Sequence, residues 1–522
     1  MNYLGYSLSP HLVLFTFFSA VGYAAIPAPQ RTQSQESAQK FGWCQGQPQA
    51  VHARSKWVAV ILLLALMLSA CTESSRLRLN ADVGPRPELL DPVPGLLPTV
   101  NIAPAAPWPA GQTPVAAAGM QVSAFASGLA HPRWLYVLPN GDVLVAQSNA
   151  PPRPESGKGI KGWVMGLVMA RAGAGVPSAD RITLVRASGA SGTSGAQSQP
   201  AVRTEFLEGL NSPFGMALVG QRFFVANTDA VMEYAYTTGQ TRIEGPGRRL
   251  TDLPAGPINH HWTKSLIASP DGSKLYATVG SNSNVAENGM AAEEGRAAIW
   301  EIDVATGVKR LFANGLRNPN GMAWMDATSG PATLWTVVNE RDEIGSDLVP
   351  DYLTSVKDGA FYGWPYSWYG AHVDSRVKPQ RPDLVARAAV PDYALGAHVA
   401  PLGLVASGNS PLAALLAGSP AGSPAGAAGG VATSAPQTTA ASQGVFIGMH
   451  GSWNRRPHSG YKVVYVAFSG GQPQGLPVDV LTGFLSPQGK AWGRPVGVAI
   501  DSTGALLVAD DVGNTVWRVS QR

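Results

Sequence analysis

The chain is poor in cysteine and in charge. Its 522 residues contain two cysteines, Cys44 and Cys71, which predict neither a disulfide framework nor a zinc site. Charged residues make up 14% of the chain and the formal net charge is +4. Lysine and arginine are not clustered among aromatic residues, as they would be in a nucleic-acid groove. We therefore predict no nucleic-acid partner.

Several catalytic motifs are missing. No Gly-x-Gly-x-x-Gly opens a helix after a strand, so a nicotinamide site is unsupported. The chain also has no P-loop, no Gly-x-Ser-x-Gly nucleophile turn and no Cys-x-x-Cys-His haem motif. What the chain has in excess is 59 glycines and 42 prolines, with 45% hydrophobic residues. This composition predicts many turns and short strands around a large core.

The segment before Cys71 has the pattern of an export signal. Basic residues Arg54 and Lys56 precede the apolar run 58–68, and Leu-Ser-Ala stands directly before Cys71. The apolar run is about half the ~20 residues that a spanning helix needs. The pattern resembles a bacterial lipobox, which implies cleavage before Cys71 and acylation of its thiol; a plain signal peptide is the alternative.

This pattern divides the chain. We expect 1–50 to lie upstream of the true start, 51–70 to be the lipoprotein signal peptide and 71–118 to be a Pro-rich tether. The predicted location is the periplasmic side of the cell envelope, lipid-anchored, on the outer membrane where there are two membranes.

Residues 119–522 contain an internal repeat. Each copy has a polar or Pro-containing start, an apolar run, a turn with Gly, Asp or Asn, and a second apolar run, which predicts a β-hairpin. The six copies are HPRWLYVLPNGDVLVAQS from His131, NSPFGMALVGQRFFVANT from Asn211, HWTKSLIASPDGSKLYATVGS from His261, RNPNGMAWMDATSGPATLWTVVNE from Arg317, APLGLVAS from Ala400 continued by GVFIGMHGSWN from Gly444, and RPVGVAIDSTGALLVADD from Arg494.

Six such units predict an all-β fold, a six-bladed β-propeller of four-stranded antiparallel blades, because ring closure protects the strand edges. A single β-sandwich does not accommodate six repeats. The Gly, Ala and Ser-rich stretches 187–200 and 408–443 are expected to be mobile surface loops, the second of them inside blade five.

Four loop clusters carry candidate functional residues. In 259–265, His260 or His261 could serve as a general base, or both could be ordinary surface or core histidines. In 315–324, the Arg-Asn-Pro turn could hold anionic or carbonyl oxygens. The acidic loop 338–365 suits a calcium ion, although a solvated acidic loop is slightly favoured. The loop 449–462 could sandwich a planar anionic cofactor or be a capped turn.

Four segments together resemble the sorbosone dehydrogenase-type proteins of the soluble aldose and glucose dehydrogenase family that depends on pyrroloquinoline quinone (PQQ). The resemblance covers roughly 120–522, and the segments that carry it are PDYLTSVKDGAFYGWPYSWYG (350–370), APLGLV (400–405), GMHGSWNRRPHSGYKVV (448–464) and GRPVGVAIDSTGALLVADDVGNTVWRV (493–519).

The resemblance implies a six-bladed propeller, PQQ and Ca²⁺ as cofactors, a small sugar or aldehyde substrate and a respiratory electron acceptor. It also implies residue roles. His261 would take the substrate proton, Arg317 would polarise the quinone, and the carbonyls of Asn339, Glu340, Arg341 and Asp342 would bind calcium. The cofactor contacts would come from Arg317, Asn318, Arg455 or Arg456, and Asn211.

The chain departs from that family behind the proposed base. The family has an aspartate where this chain has Ser281, and a serine can only hydrogen-bond to the imidazole. The glutamine that blade two contributes in the family has no clear match, Asn211 being the nearest candidate. The leading hypothesis is a quinoprotein dehydrogenase. The alternatives are a non-catalytic propeller lipoprotein that binds glycans or envelope partners, and a calcium-dependent lactonase.

Overall fold

The computed structural model describes residues 73–93, 99–152, 166, 169–187, 202–326, 330–417 and 443–522. The predicted upstream segment, the signal peptide and the lipidation site Cys71 lie outside the described residues, and so does most of the stretch 187–200. Within these ranges, no helix has the length and apolar character needed to cross a membrane.

Three strands precede the first blade, and each of them pairs with a strand far away in the sequence: β1 (Val83–Gly84), β2 (Val115–Ala116) and β3 (Met120–Ser127). The first three blades are four-stranded antiparallel sheets formed in chain order. Their strands are β4 (Pro132–Val137), β5 (Val143–Gln147), β6 (Arg181–Arg186) and β7 (Val202–Leu207) in blade one; β8 (Met216–Val219), β9 (Arg222–Ala226), β10 (Ala230–Ala235) and β11 (Arg248–Asp252) in blade two; and β12 (Leu266–Ala268), β13 (Lys274–Val279), β14 (Ala298–Asp303) and β15 (Lys309–Asn314) in blade three.

The last three blades follow the same order, and a small hairpin projects from blade four. Their strands are β16 (Asn318–Met325), β17 (Thr333–Asn339), β18 (Pro350–Ser355) and β21 (Tyr393–Ala397) in blade four; β19 (Ser367–Trp368) and β20 (His372–Val373) in the hairpin; β22 (Pro401–Ala406), β23 (Gly444–Met449), β24 (Lys462–Ser469) and β25 (Gln472–Thr482) in blade five; and β26 (Pro495–Ile500), β27 (Leu506–Asp510) and β28 (Thr515–Gln521) in blade six.

The N-terminal strand β3 closes the ring as the fourth strand of blade six. It pairs antiparallel with β28, with Met120 opposite Gln521 and Ser127 opposite Thr515. Joining the two ends of the domain in one sheet removes the free edges that an open array of blades would leave. The predicted six-bladed all-β propeller is confirmed.

The hairpin turns fold for local reasons. At the turn of blade three, Gly272 has a φ of 71°, a conformation that glycine adopts without steric cost. The carboxylate of Asp271 accepts hydrogen bonds from the Ser273 amide at 3.0 Å and from the Ser269 hydroxyl at 2.5 Å. The predicted Pro-Asp-Gly turn therefore forms as expected.

The core lies between neighbouring blades. Phe224 of blade two and Leu275 of blade three belong to one buried cluster. Between blades four and five, the rings of Trp335 and Phe468 meet edge to face at 4.9 Å. Fully burying side chains of this size stabilises the fold by about 1.5–3 kcal/mol each, so every interface between blades contributes.

The predicted tether 71–118 is wrong as a description of the residues that the structure describes in it. Strand β1 pairs with β21 of blade four, and β2 pairs with β25 of blade five. The ring of Trp108 packs against Phe484, Trp492 and Trp517, and its indole N–H donates to Asp510 at 3.0 Å. The segment has no periodic pattern of apolar residues, yet it packs on the propeller, because single side chains and two-residue strand pairings hold it there.

Replacing Trp108 with alanine should lower the free energy of unfolding by about 3–5 kcal/mol, the usual cost of truncating a packed aromatic residue. The carboxylate of Asp510 also loses one of its donors. Urea unfolding checks this, with Leu79→Ala as the control because Leu79 is 90% exposed. Equal midpoints for the two variants would mean that the segment is a tether after all.

The described residues include two short α-helices, α1 (Pro382–Val385) and α2 (Pro411–Ala417), and a 3-10 helix at Met290–Glu293. Helix α2 lies at the start of the stretch 408–443, which was expected to be a mobile loop. Leu412 and Leu416 are buried in the cluster between blades five and six, so that expectation is wrong for the described residues 411–416. Residues 418–442 lie outside the description.

Candidate active site at the channel mouth

The first strand of each blade begins, and the second strand ends, at the same rim of the ring, because paired antiparallel strands run in opposite directions. We call the residues before the first strands and after the second strands the channel mouth. The four clusters singled out in the sequence all contribute residues to this rim.

His261 stands before β12 and is half-buried. Its Nδ1 lies 2.8 Å from the carbonyl oxygen of Ser281 and 3.1 Å from the Ser281 hydroxyl, which donates in turn to the Ser283 carbonyl at 2.6 Å. Since the Ser281 carbonyl can only accept, Nδ1 carries the proton and Nε2 the lone pair. Burial, the neighbouring His260 and the positive charge of Arg317 hold the pKa of His261 well below 6.5.

The backbone around His261 is fixed by a buried arginine. Arg296 donates to the carbonyls of His261 and Gly280, at 3.1 and 3.0 Å, and to the side chain of Asn259 at 3.1 Å. Gly280 is needed for close approach: a Cβ there would come within 2.2 Å of Asn318 Oδ1 and 2.5 Å of the His261 Cβ. Gly280 therefore lies closely between His261 and Asn318.

Arg317 and Asp342 form the centre of a charged network in blade four. The guanidinium of Arg317 donates to the Asp342 carboxylate at 2.9 Å, to the Glu340 carbonyl at 2.6 Å and to Asn284 at 3.0 Å. Asp342 also accepts from Asn454 at 2.8 Å. Burial alone would raise the pKa of Asp342, but Arg317 and the other partners lower it to about 2.

His398 completes this network. Its Nδ1 is 3.4 Å from the Asp342 carboxylate and its Nε2 is 3.0 Å from the Gly345 carbonyl. Burial lowers the pKa of His398, but the hydrogen bond to Asp342 and its charge outweigh this and raise it. Asp342 is thus surrounded by donors and is a structural counterion.

The loop Asn339–Asp342 does not fit a calcium ion as arranged. A cation on the Glu340 carbonyl would lie against the Arg317 guanidinium that already donates to it. The Asp342 carbonyl accepts from Asn284 at 3.1 Å, and Arg341 pairs with Asp374 at 3.0 Å. Burial raises the pKa of Glu340 to about 8, which leaves its carboxyl neutral. In the described part of the chain, no group of three or more His, Cys, Asp or Glu side chains could hold a metal.

The other predicted cofactor contacts lie in different places. Arg455 donates to the Ser346 carbonyl at 2.9 Å and lies 3.4 Å from the Asp347 carboxylate. Arg456 is half-buried, and its Nε is buried with no hydrogen-bond partner. Asn211 is exposed and donates to Asp229 at 3.0 Å. Arg456 therefore keeps a free donor, whereas Arg455 and Asn211 use theirs within the protein.

A second histidine site lies in the loop 449–462, and its chemistry was not predicted from the sequence. His450 follows β23, and its Nε2 is 3.0 Å from the Asp511 carboxylate. Arg133 donates to the same oxygen at 2.5 Å, and His131 Nε2 lies 3.6 Å away. Asp511 is buried, which by itself raises its pKa, but His450, His131 and Arg133 lower it well below the usual range.

The two histidine sites belong to one channel. The guanidinium carbon of Arg133 lies 5.7 Å from the centroid of the Trp262 ring, and Trp262 is the residue after His261. Arg133 therefore bridges the His261 side of the mouth to Asp511 and His450 on the opposite side. His450 remains partly exposed, with 21% of its side chain accessible.

The mouth has unused donors for an anion. Several arginines of the mouth keep a buried Nε without a hydrogen-bond partner, among them Arg133, Arg317, Arg456 and Arg494. Buried donors without partners are costly, and a ligand with several carboxylates would satisfy them. These residues fit PQQ, which is planar and carries several carboxylates, better than the loop at Asn339–Asp342 fits calcium.

A family model described as TrAA12-like matches residues 176–353 and 382–522, more than half of the chain. A protein of Borreliella burgdorferi described as uncharacterized is 24% identical over 275 residues, which span 51% of this chain and 62% of that protein.

Two solved structures share the fold. The iodide structure of Trichoderma reesei carbohydrate-active enzyme family AA12 is 18% identical with a TM-score of 0.57, covering 81% of this chain and 99% of that one. The holo form of the pyranose dehydrogenase PQQ domain from Coprinopsis cinerea is 20% identical with a TM-score of 0.55, covering 80% and 99%. At these identities the likeness establishes the propeller.

Proposed function

The chain belongs to the TrAA12-like family, and on this premise we propose that it is a quinoprotein dehydrogenase. It would oxidise a sugar or a sugar-derived aldehyde, of the sorbosone or aldose type, with hydride transfer to PQQ. The observation that carries the proposal is the mouth itself, where a carboxylate-backed histidine, a second histidine and arginines with unused donors converge.

His450 is the proton acceptor that we propose. With Nε2–H directed to Asp511, its Nδ1 has a lone pair for the substrate hydroxyl proton. Burial, Arg494 and Arg133 lower its pKa while Asp511 raises it, with a net lowering, so the ring is neutral at neutral pH. The carboxylate of Asp511 stabilises the imidazolium that forms, as in catalytic triads.

His261, the base implied by the resemblance, lacks such support. The partner of its Nδ1 is the neutral Ser281 carbonyl, and the nearby charges are those of Arg317 and Arg296. Taking a proton there would place a cation among cations. We therefore propose that His261 accepts a hydrogen bond from the substrate through Nε2 and orients it, while the proton goes to His450.

Arg317, Arg133 and Arg456 would hold the cofactor carboxylates through their unused N–H groups, with Asn318 beside Arg317. When bound, PQQ supplies the acceptor for the hydride that leaves the substrate carbon. The Trp262 ring lies against the Arg133 guanidinium and would help to hold it toward the cofactor. We propose a lipid anchor at Cys71 and electron transfer to the respiratory chain as the setting.

Spectral titration of the purified protein with PQQ tests the proposal. We expect saturable binding and, with the cofactor loaded, reduction of an artificial acceptor by one or more members of a panel of aldoses, sorbosone and alcohols. Arg317→Ala should weaken PQQ binding about 10- to 100-fold, the value of a charge-assisted hydrogen bond of about 1.5–3 kcal/mol.

Arg310→Ala is the matched control for Arg317→Ala. Arg310 is an exposed arginine of β15, paired with Glu301 and Asp358, and its loss should leave PQQ binding unchanged. Absence of PQQ binding by the unaltered protein would sink the proposed function. Equal affinities for both variants would remove Arg317 from the cofactor site.

A further inference from the structure

The segment that begins two residues after Cys71 is fastened to the loops of the channel mouth. The Ser346 amide donates to the Glu73 carboxylate at 3.1 Å. The Ser75 hydroxyl and the Arg76 amide both donate to the Asp347 carboxylate, at 2.5 and 2.7 Å. Asp347 lies five residues after Asp342 of the site.

The loop after His450 holds the same segment from the other side. The Ser75 amide donates to the Arg456 carbonyl at 2.7 Å, and Arg455 donates to the Ser75 hydroxyl at 3.1 Å. Asn101 donates to the Arg455 carbonyl at 2.7 Å. Residues 73–76 therefore contact the propeller at the loops of the channel mouth.

Basic and apolar side chains are exposed beside these contacts. Arg76 and Arg78 expose 55% and 90% of their side chains, and Leu79 is 90% exposed. Trp453 is 36% exposed, and its carbonyl accepts from the Asn101 amide next to Val100, which is 43% exposed. We call Arg76–Leu79, Val100 and Trp453 the mouth rim patch.

We propose that the mouth rim patch docks on the phospholipid bilayer and turns the channel mouth toward the membrane. The inference rests on the proposed acylation of Cys71, and not on PQQ or on turnover. Two residues span at most about 7 Å, so a lipid on Cys71 cannot reach far from Glu73. Exposed arginines bind anionic lipid headgroups, and exposed tryptophan prefers the membrane–water interface. A protein with a lipid anchor is held more firmly when a surface patch also binds the membrane.

Fluorescence quenching in vesicles tests the orientation. The full chain, processed in a bacterial host, carries either Trp453→Cys at the mouth or Pro270→Cys in the turn on the opposite face, labelled with a fluorophore. Cys44 lies upstream of the cleavage site and the Cys71 thiol is acylated, so each variant has one free thiol. The vesicles contain phosphatidylethanolamine, phosphatidylglycerol and a headgroup-linked quencher.

We expect loss of fluorescence at position 453 and none at position 270, because strands of six residues separate the two faces by about 20 Å. Inserting 20 Gly and Ser residues between Thr72 and Glu73 lengthens the connection to the lipid by about 25 Å. This insertion should reduce the difference in quenching between positions 453 and 270. Equal quenching at both positions, stronger quenching at position 270, or absence of an acyl chain on Cys71 by mass spectrometry would overturn the proposal. None of these measurements depends on activity.

Discussion

Replacing His450 with glutamine is expected to lower kcat by about two to four orders of magnitude, the usual contribution of a positioned general base. Glutamine keeps a hydrogen bond to Asp511 but cannot take a proton. PQQ affinity should stay within a few-fold, because the arginines that we assign to the carboxylates are untouched. The measurement is kcat with an artificial acceptor, alongside the spectral titration.

His261→Gln separates the two candidate bases. If His261 only orients the substrate, its loss removes about one hydrogen bond, worth up to about tenfold. A His261→Gln variant that loses about two to four orders of magnitude in turnover, with His450→Gln nearly unaffected, would return the role of base to His261. The pKa of His450 lies below 6.5. The rate of the unaltered protein should therefore rise as the pH passes through the pKa of His450, and it should level off once the imidazole is neutral.

Asp511→Asn probes the carboxylate behind His450. Removing the charge lowers the pKa of His450 further and leaves the imidazolium without its counterion, so the rate at its plateau should fall by at least about 10²-fold. The same change leaves Arg133 unpaired and buried, so stability must be measured in parallel.

The propeller could be predicted because its signal is repeated. Each hairpin needs only local chemistry, such as Gly272 in its turn and alternating apolar residues in the strands, and six copies make the period visible. Closure by β3 could not be predicted in the same way. The outer edge of blade six accepts a strand of suitable length, and nothing in 120–127 marks it as belonging to a blade at the other end of the chain.

The ordered segment 73–118 was missed for a related reason. It packs through isolated contacts: the indole of Trp108 lies in an aromatic cluster, and the Asp82 carboxylate accepts a hydrogen bond from the Ala397 amide. Such contacts leave no periodic pattern in the sequence. Proline-rich composition is shared by free linkers and by segments that follow a surface, and only the partner surface distinguishes them.

At the site, the repeat also indicates which residues follow the second strand of each blade. Ser281 is the second residue after the second strand of its blade. His450 and Asp511 are the first residues after the second strands of blades five and six. Side chains at equivalent positions in a ring converge on its axis, so this register alone places the missed pair in the mouth with Ser281 and Glu340. The hydrogen bond between them depends on side-chain direction, which the register does not give.

Glu340→Gln should stabilise the protein at neutral and alkaline pH. Burial raises the pKa of Glu340 to about 8, whereas in the unfolded chain it titrates near the ordinary value of 4.5. Between these values the folded state holds one more proton than the unfolded state, so this group makes the free energy of unfolding fall by about 1.4 kcal/mol for each pH unit. Glutamine does not titrate, and it keeps the acceptor for the Arg341 amide at 2.8 Å. The variant should therefore equal the unaltered protein near pH 4 and exceed it by roughly 4 kcal/mol at pH 8.

Asp342→Asn, in the same loop, should show the opposite dependence. The pKa of Asp342 is lowered to about 2, chiefly by Arg317 acting against burial, so its charge contributes stability above the unfolded value of about 4 that is lost as the pH falls toward 2. The variant should be less stable than the unaltered protein from pH 5 upward and approach it in acid. Urea unfolding from pH 3 to 9 gives the free energy of unfolding of each variant relative to the unaltered protein. The contributions of the other titrating groups are the same in both proteins and cancel in that difference. A Glu340→Gln difference that is independent of pH would show that Glu340 is ionised in the folded protein, and the loop would then regain a carboxylate for a cation.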